Sequence, residues 1–91
     1  MKNKKYNMTD LNNVMESLLA ENGCPWDKVQ THETLKNYLI EESYEVVEAI
    51  DNKDSENLCE ELGDVLFQII FHSKLAEREN KFDFSDVVNN V

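Results

Sequence analysis

The stretch Leu39-Ile40-Glu41-Glu42-Ser43-Tyr44-Glu45-Val46, with Glu61-Leu62-Gly63-Asp64 following fifteen residues after Glu45, decides the fold. Each block sets two carboxylates at i, i+3, a spacing that puts both side chains on one face of a helix, about one turn apart. Two helices marked in this way can bring four carboxylates to one point. At roughly 100° per residue, Leu35, Leu39, Val46, Ala49 and Ile50 form one apolar stripe, with Glu42 inside it and Glu45 at its edge. On the second segment Leu58, Leu62, Val65, Leu66 and Ile69 form the stripe, with Glu61 on its flank and Asp64 a turn further on. These acids border the core.

A carboxylate inside an apolar stripe costs several kcal/mol unless it is paired. Residues 41–64 hold ten acids and a single base, Lys53, and so carry nearly all of the chain's net charge of -10. The neutralising charge must come from outside, and oxygen ligands at this density suit Mg²⁺, Mn²⁺ or Ca²⁺. Glu41, Glu48, Asp51, Asp54, Glu56 and Glu60 fit an ordinary solvated acidic face. Glu42 does not.

Working outward, the spacing predicts a helix from Thr31 or Thr34 to Asp51 and another from Glu56 to Glu79, with Asn52-Lys53-Asp54-Ser55 as the turn and Asp54 or Ser55 as its cap. A shorter helix follows Thr9 as N-cap, carries Leu11, Val14, Met15, Leu18 and Leu19, and ends at Gly23. Pro25 breaks it, so Cys24-Pro25-Trp26-Asp27 is expected to be a loop. Ser85 caps a last short helix, Asp86 to Val91, and residues 1–8 are expected to be frayed. No run alternates with period two. The expectation is one domain over residues 1–91, an all-α bundle of four helices with two long central ones. Val65 to Phe71 is apolar on nearly every side, and Phe67, Ile70 and Phe71 face away from the stripe. A partner chain is expected to cover them, completing the bundle as a homodimer or a tetramer.

The 91 residues make a small domain with a limited core. The acidic balance argues against direct binding to nucleic acid or to an anionic membrane, both of which need clustered bases. A divalent cation on the acids would invert the local sign and let a polyphosphate approach. No apolar run reaches the length of a membrane span, and Met1 to Lys5 lacks the apolar stretch of a signal peptide, so a cytoplasmic location is expected. Cys24 and Cys59 have no paired spacing and suggest neither a zinc site nor a disulfide framework.

Gly23-Cys24-Pro25-Trp26-Asp27, Gln30-Thr31-His32, Leu39 to Val46 and Glu60-Glu61-Leu62-Gly63-Asp64-Val65-Leu66 occur in this order with compatible gaps. In these blocks, over residues 11 to 88, the chain closely resembles the MazG family. The resemblance implies an all-α, dimeric, Mg²⁺-dependent nucleoside triphosphate pyrophosphohydrolase that releases a monophosphate and pyrophosphate, with noncanonical nucleotides as house-cleaning targets. It assigns metal binding to Glu42, Glu45, Glu61 and Asp64, the set that the helical geometry selects. Glu41, counted with the catalytic set, and Glu48 are further candidates, either as groups supporting the metal ligands or as positioners of water.

Trp26, Asp27, Gln30 and His32 are candidates for the nucleoside end, an aromatic plane beside hydrogen-bonding groups. Trp26 is equally suited to anchoring its loop. Lys74 and Arg78 are candidates for phosphate contact, or else partners of a helix C-terminus. His72 lies on the flank of the third helix that bears Glu61, Asp64 and Gln68, and suits a partly buried polar position. Family domains often run on into a basic segment with a R-H-P-H-V-F type sequence, whereas this sequence stops at Val91, as expected of a truncated or reduced domain. A non-hydrolysing, dimeric helical module that binds nucleotide or metal would share the acids and the apolar helix.

Overall fold

The computed structural model describes residues 5–91. Helices α1 (Met8–Leu19), α2 (Pro25–Lys28), α3 (His32–Asp51), α4 (Ser55–Arg78) and α5 (Phe84–Asn90) follow one another, and no strand occurs among the described residues. The fold is all-α. Two compact units are present, Met1–Gln30 and Thr31–Val91.

In the first unit, α1 begins earlier than Thr9. Asn7 is the N-cap, accepting from the Asp10 amide, while the Asp10 carboxylate accepts from the Asn7 amide. This reciprocal box satisfies two end donors at once, which a lone Thr9 cannot do. It also orders residues 7 and 8, which were expected to fray; residues 1–4 lie outside the described residues. Beyond Leu19 the chain folds back, with the Gly23 and Cys24 amides donating to the Ala20 and Leu18 carbonyls. A Cβ on Gly23 would collide with the Ser17 and Leu18 carbonyl oxygens, so only glycine permits this approach. Pro25 starts a helix rather than breaking one, since α1 already ends at Leu19. It occupies the first position of α2, where a missing N–H costs nothing, and this replaces the expected loop with one helical turn packed on α1.

In the second unit, α3 and α4 form an antiparallel hairpin, with α5 against α4. Thr31 and Thr34 box the start of α3, and Asp54 caps α4 through the Asn57 amide. The connecting turn puts Lys53 at φ 55°, with the Asp54 amide reaching back to the Ala49 carbonyl, a left-handed helix ending that glycine more often supplies. Asp83 and Asp86 box α5, so it starts before Ser85.

The apolar pattern departs from the sequence reading on both long helices. Ile70 and Phe71 are buried within the chain, at 1% and 0% exposure, and Phe67 meets Phe71 edge to face at 6.0 Å between ring centres. They do not require a partner. On the hairpin, Leu62 and Ile69 of α4 and Ile50 of α3, all expected to face inward, are exposed, as are Tyr38, Ile40, Tyr44 and Val47 of α3. A helix that is apolar on nearly all sides has no single preferred face, so periodicity could not choose which side turns inward. No helix is long and apolar enough to cross a membrane among the described residues.

Candidate metal centre

The α3–α4 hairpin brings together the four acids that the sequence singled out. One carboxylate oxygen from each of Glu42, Glu45, Glu61 and Asp64 lies within 4.8 Å of all the others. Glu42 and Glu61 are half-buried, and Glu45 and Asp64 are exposed, so the cluster has an inner and an outer pair. The inner pair carries the strain. Oε2 of Glu42 and Oε2 of Glu61 are enclosed and have no hydrogen-bond partner.

Electrostatics respond as like charges require. Burial, followed by the charges of Asp64 and Glu45, raises the Glu42 carboxyl above its ordinary range. Glu61 is pushed up to about 7, first by a hydrogen bond with Glu45 that needs one of the two protonated, then by desolvation and the neighbouring carboxylates. The cluster resists full ionisation, and two of its oxygens face inward with nothing to bind. A divalent cation answers both conditions, because it neutralises the charge and takes the orphaned oxygens as ligands. These acids could hold a metal.

Of the other candidates, Glu41 is exposed on α3 beside Glu42, and Glu48 is exposed one turn beyond Glu45. In the first unit Trp26 is half-exposed, Asp27 is buried, and Gln30 donates from its side chain to the Trp26 carbonyl at 2.9 Å. In the second unit Lys74 pairs with Glu77 at 2.8 Å, and Arg78 closes α4.

His32 opens α3 and stacks on His72 with ring planes 8° apart. Their Nδ1 atoms are 2.7 Å apart, and Nε2 of His32 sits 3.3 Å from the Glu79 carboxylate. Sequence reasoning put His72 on the Glu61 flank but gave Glu79 no role. The signal was available: Glu61, Gln68, His72 and Glu79 recur at i, i+7, i+11 and i+18, which is one line along a helix.

A family model, the MazG nucleotide pyrophosphohydrolase domain, matches residues 30–91. The nucleoside triphosphate pyrophosphohydrolase/pyrophosphatase MazG of Thermotoga maritima is 49% identical over 82 residues, covering 90% of this chain and 32% of that protein. The nucleoside triphosphate pyrophosphohydrolase of Escherichia coli K12 is 52% identical over 67 residues, covering 74% and 26%. The uncharacterized protein YabN of Bacillus subtilis is 49% identical over 78 residues, covering 86% and 16%. The chain thus spans a third or less of the length of these relatives. The matched region contains all four clustered acids, and the chain belongs to the MazG nucleotide pyrophosphohydrolase domain family.

Proposed function

We propose that the chain is the catalytic domain of a Mg²⁺-dependent nucleoside triphosphate pyrophosphohydrolase that cleaves the α–β phosphate bond of ribo- or deoxynucleotides. The observation that carries this reading is the convergence of Glu42, Glu45, Glu61 and Asp64 with two enclosed, unpartnered oxygens, in a chain whose named relatives are nucleoside triphosphate pyrophosphohydrolases. These four residues would hold Mg²⁺ or Mn²⁺, which would supply charge neutralisation at the phosphates and make water a better nucleophile. Glu42 and Glu61 fix the inner side of that site, and Glu45 and Asp64 leave its outer side open to substrate. In the reaction the water oxygen bonds to the α-phosphorus as the bridging bond to the β-phosphate breaks, and pyrophosphate leaves with the electron pair. Glu41, exposed beside the cluster, accepts the water proton. No nucleophilic side chain is needed.

On this reading Trp26, Asp27, Gln30 and His32 serve the nucleoside and Lys74 and Arg78 the phosphates. The cell would use the activity in its cytoplasm to remove noncanonical nucleotides. The active form is a homodimer, or a tetramer of two such dimers. Support for the dimer comes from α3, where exposed Ile40, Tyr44 and Val47 recur at i, i+4, i+7 and line, with Leu39 and Ser43, a shallow groove of about 450 Å³.

Incubation with canonical, deoxy and oxidised nucleoside triphosphates and Mg²⁺, followed by chromatography, is expected to yield monophosphate and pyrophosphate in equal amounts. Mg²⁺-dependent nucleotide binding by calorimetry without turnover would replace this reading with a nucleotide sensor.

A further inference from the structure

Four side-chain atoms among the described residues are enclosed and unpartnered: Glu42 Oε2, Glu61 Oε2, Gln68 Oε1 and His72 Nε2. The first two belong to the carboxylate cluster. The other two lie one helical turn apart on α4, and Gln68 is itself a turn beyond Asp64. A buried acceptor left without a donor costs about 1–3 kcal/mol.

The proton arrangement at His72 follows from its neighbours. Glu79 offers only acceptor oxygens when ionised, so at 3.3 Å it selects the His32 form with a proton on Nε2. A neutral His32 of that form has a bare Nδ1. The contact of 2.7 Å between the two Nδ1 atoms then needs the proton on Nδ1 of His72. Burial and His32 both lower the His72 pKa, which favours its neutral ring. What remains on His72 is a lone pair at Nε2, enclosed in the protein and without a donor, one helical turn along α4 from the likewise enclosed and unpartnered Oε1 of Gln68.

We propose that Glu79 and His32 are positioning residues that fix His72 as its Nδ1–H tautomer, so that His72 Nε2 and Gln68 Oε1 together form an acceptor site for a group carrying two O–H or N–H hydrogens. Bound water has that chemistry, and so do the amino and hydroxyl groups of a nucleoside; the nucleoside source alone rests on the pyrophosphohydrolase reading.

Nitrogen-15 NMR of the imidazole rings in the full chain at pH 8 tests the assignment. The expected result is Nδ1–H on His72 in at least about tenfold excess, the preference that a hydrogen bond of ordinary net strength gives. Glu79 is half-exposed at the end of α4, so replacing it leaves the helix intact, which far-UV circular dichroism verifies. Glu79→Lys presents a donor to His32 and should invert the His72 ratio. Glu79→Ala should bring the ratio near unity. Adding α,β-methylene analogues of ATP, GTP, CTP and UTP with Mg²⁺ separates the sources. A His72 Nε2 resonance already hydrogen-bonded and unmoved by every analogue assigns the site to water, and one that moves with an analogue assigns it to the nucleoside. A predominant Nε2–H form in the native chain, or a ratio indifferent to both Glu79 variants, overturns the proposal. Neither result depends on turnover, so failure here leaves the pyrophosphohydrolase reading intact.

Discussion

The two halves of the α3–α4 seam handle buried polarity in opposite ways. Near the turn, Glu42, Glu45, Glu61 and Asp64 crowd charges of one sign, and protonation is their only relief within the cluster. Toward the other end, His32 and His72 pass a hydrogen bond along to Glu79 at the surface, and leave one ring nitrogen unsatisfied. Both halves lie on the same pair of helices and on the same line of α4. Burial alone therefore does not make a metal centre: the carboxylates shed charge only by taking up protons, whereas neutral imidazoles can act as donor and acceptor at once.

The comparison breaks most sharply at Glu42. Glu42→Gln keeps the shape and removes one charge from the inner pair, so turnover should fall by more than about a hundredfold, since even outer partners of metal ligands cost 10–100-fold. Melting of the metal-free protein should occur no lower than in the native chain, while the stabilisation gained from Mg²⁺ shrinks. A lower metal-free melting point with unchanged activity would mean that Glu42 is a structural acceptor.

A second test uses protons in place of metal. The Glu61 carboxyl rises from 4.5 to about 7 in the folded chain, so between those values the fold holds a proton that the unfolded chain has released. The stability gained from it is present at acid pH and is lost as pH rises through 7. The metal-free melting temperature should therefore fall between pH 5 and pH 8, with Glu42 acting in the same direction. Saturating Mg²⁺ should remove or reverse the slope, and Glu61→Gln should flatten it.

Apolar residues offer a parallel contrast. Phe71→Ala, in the buried set beside His72, should cost about 3–5 kcal/mol in denaturant titrations. Tyr44→Lys with Val47→Glu, in the exposed set beside the acids, should leave helix content unchanged and convert the proposed dimer to a monomer in sedimentation. Persistence of the dimer would remove the α3 face from the interface.

The smallest effect concerns the two helix endings. Lys53 and Asn80 both take positive φ, at 55° and 59°. Lys53→Gly should stabilise by about 1 kcal/mol, and Asn80→Gly by less, because asparagine tolerates this conformation better than lysine. Urea titration of both variants measures the difference.

Much of this was legible in the sequence for identifiable reasons. The i, i+3 acids and the capped turn at Asp54 fixed the hairpin, because helix period and cap chemistry are local. The choice of buried face on α4 was not legible, since Ile70 and Leu62 are equally apolar and only the surrounding packing separates them. Pro25 was ambiguous because a residue that ends a helix is also suited to begin one. The histidine stack depends on residues forty positions apart, and no local rule couples them; only the line through Glu61, Gln68, His72 and Glu79 hinted at it.

Every acid of the carboxylate cluster falls between positions 42 and 64, on one hairpin closed by a tight turn. Closing so short a loop carries a small entropic cost, and contacts this local form early in folding. The cluster can therefore assemble as soon as the hairpin forms, and a divalent ion present at that moment would favour the hairpin over its unfolded alternatives. A site contained in one supersecondary unit can also be carried into proteins of very different length without redesign, and the matches to this chain cover 16% of one relative and 32% of another.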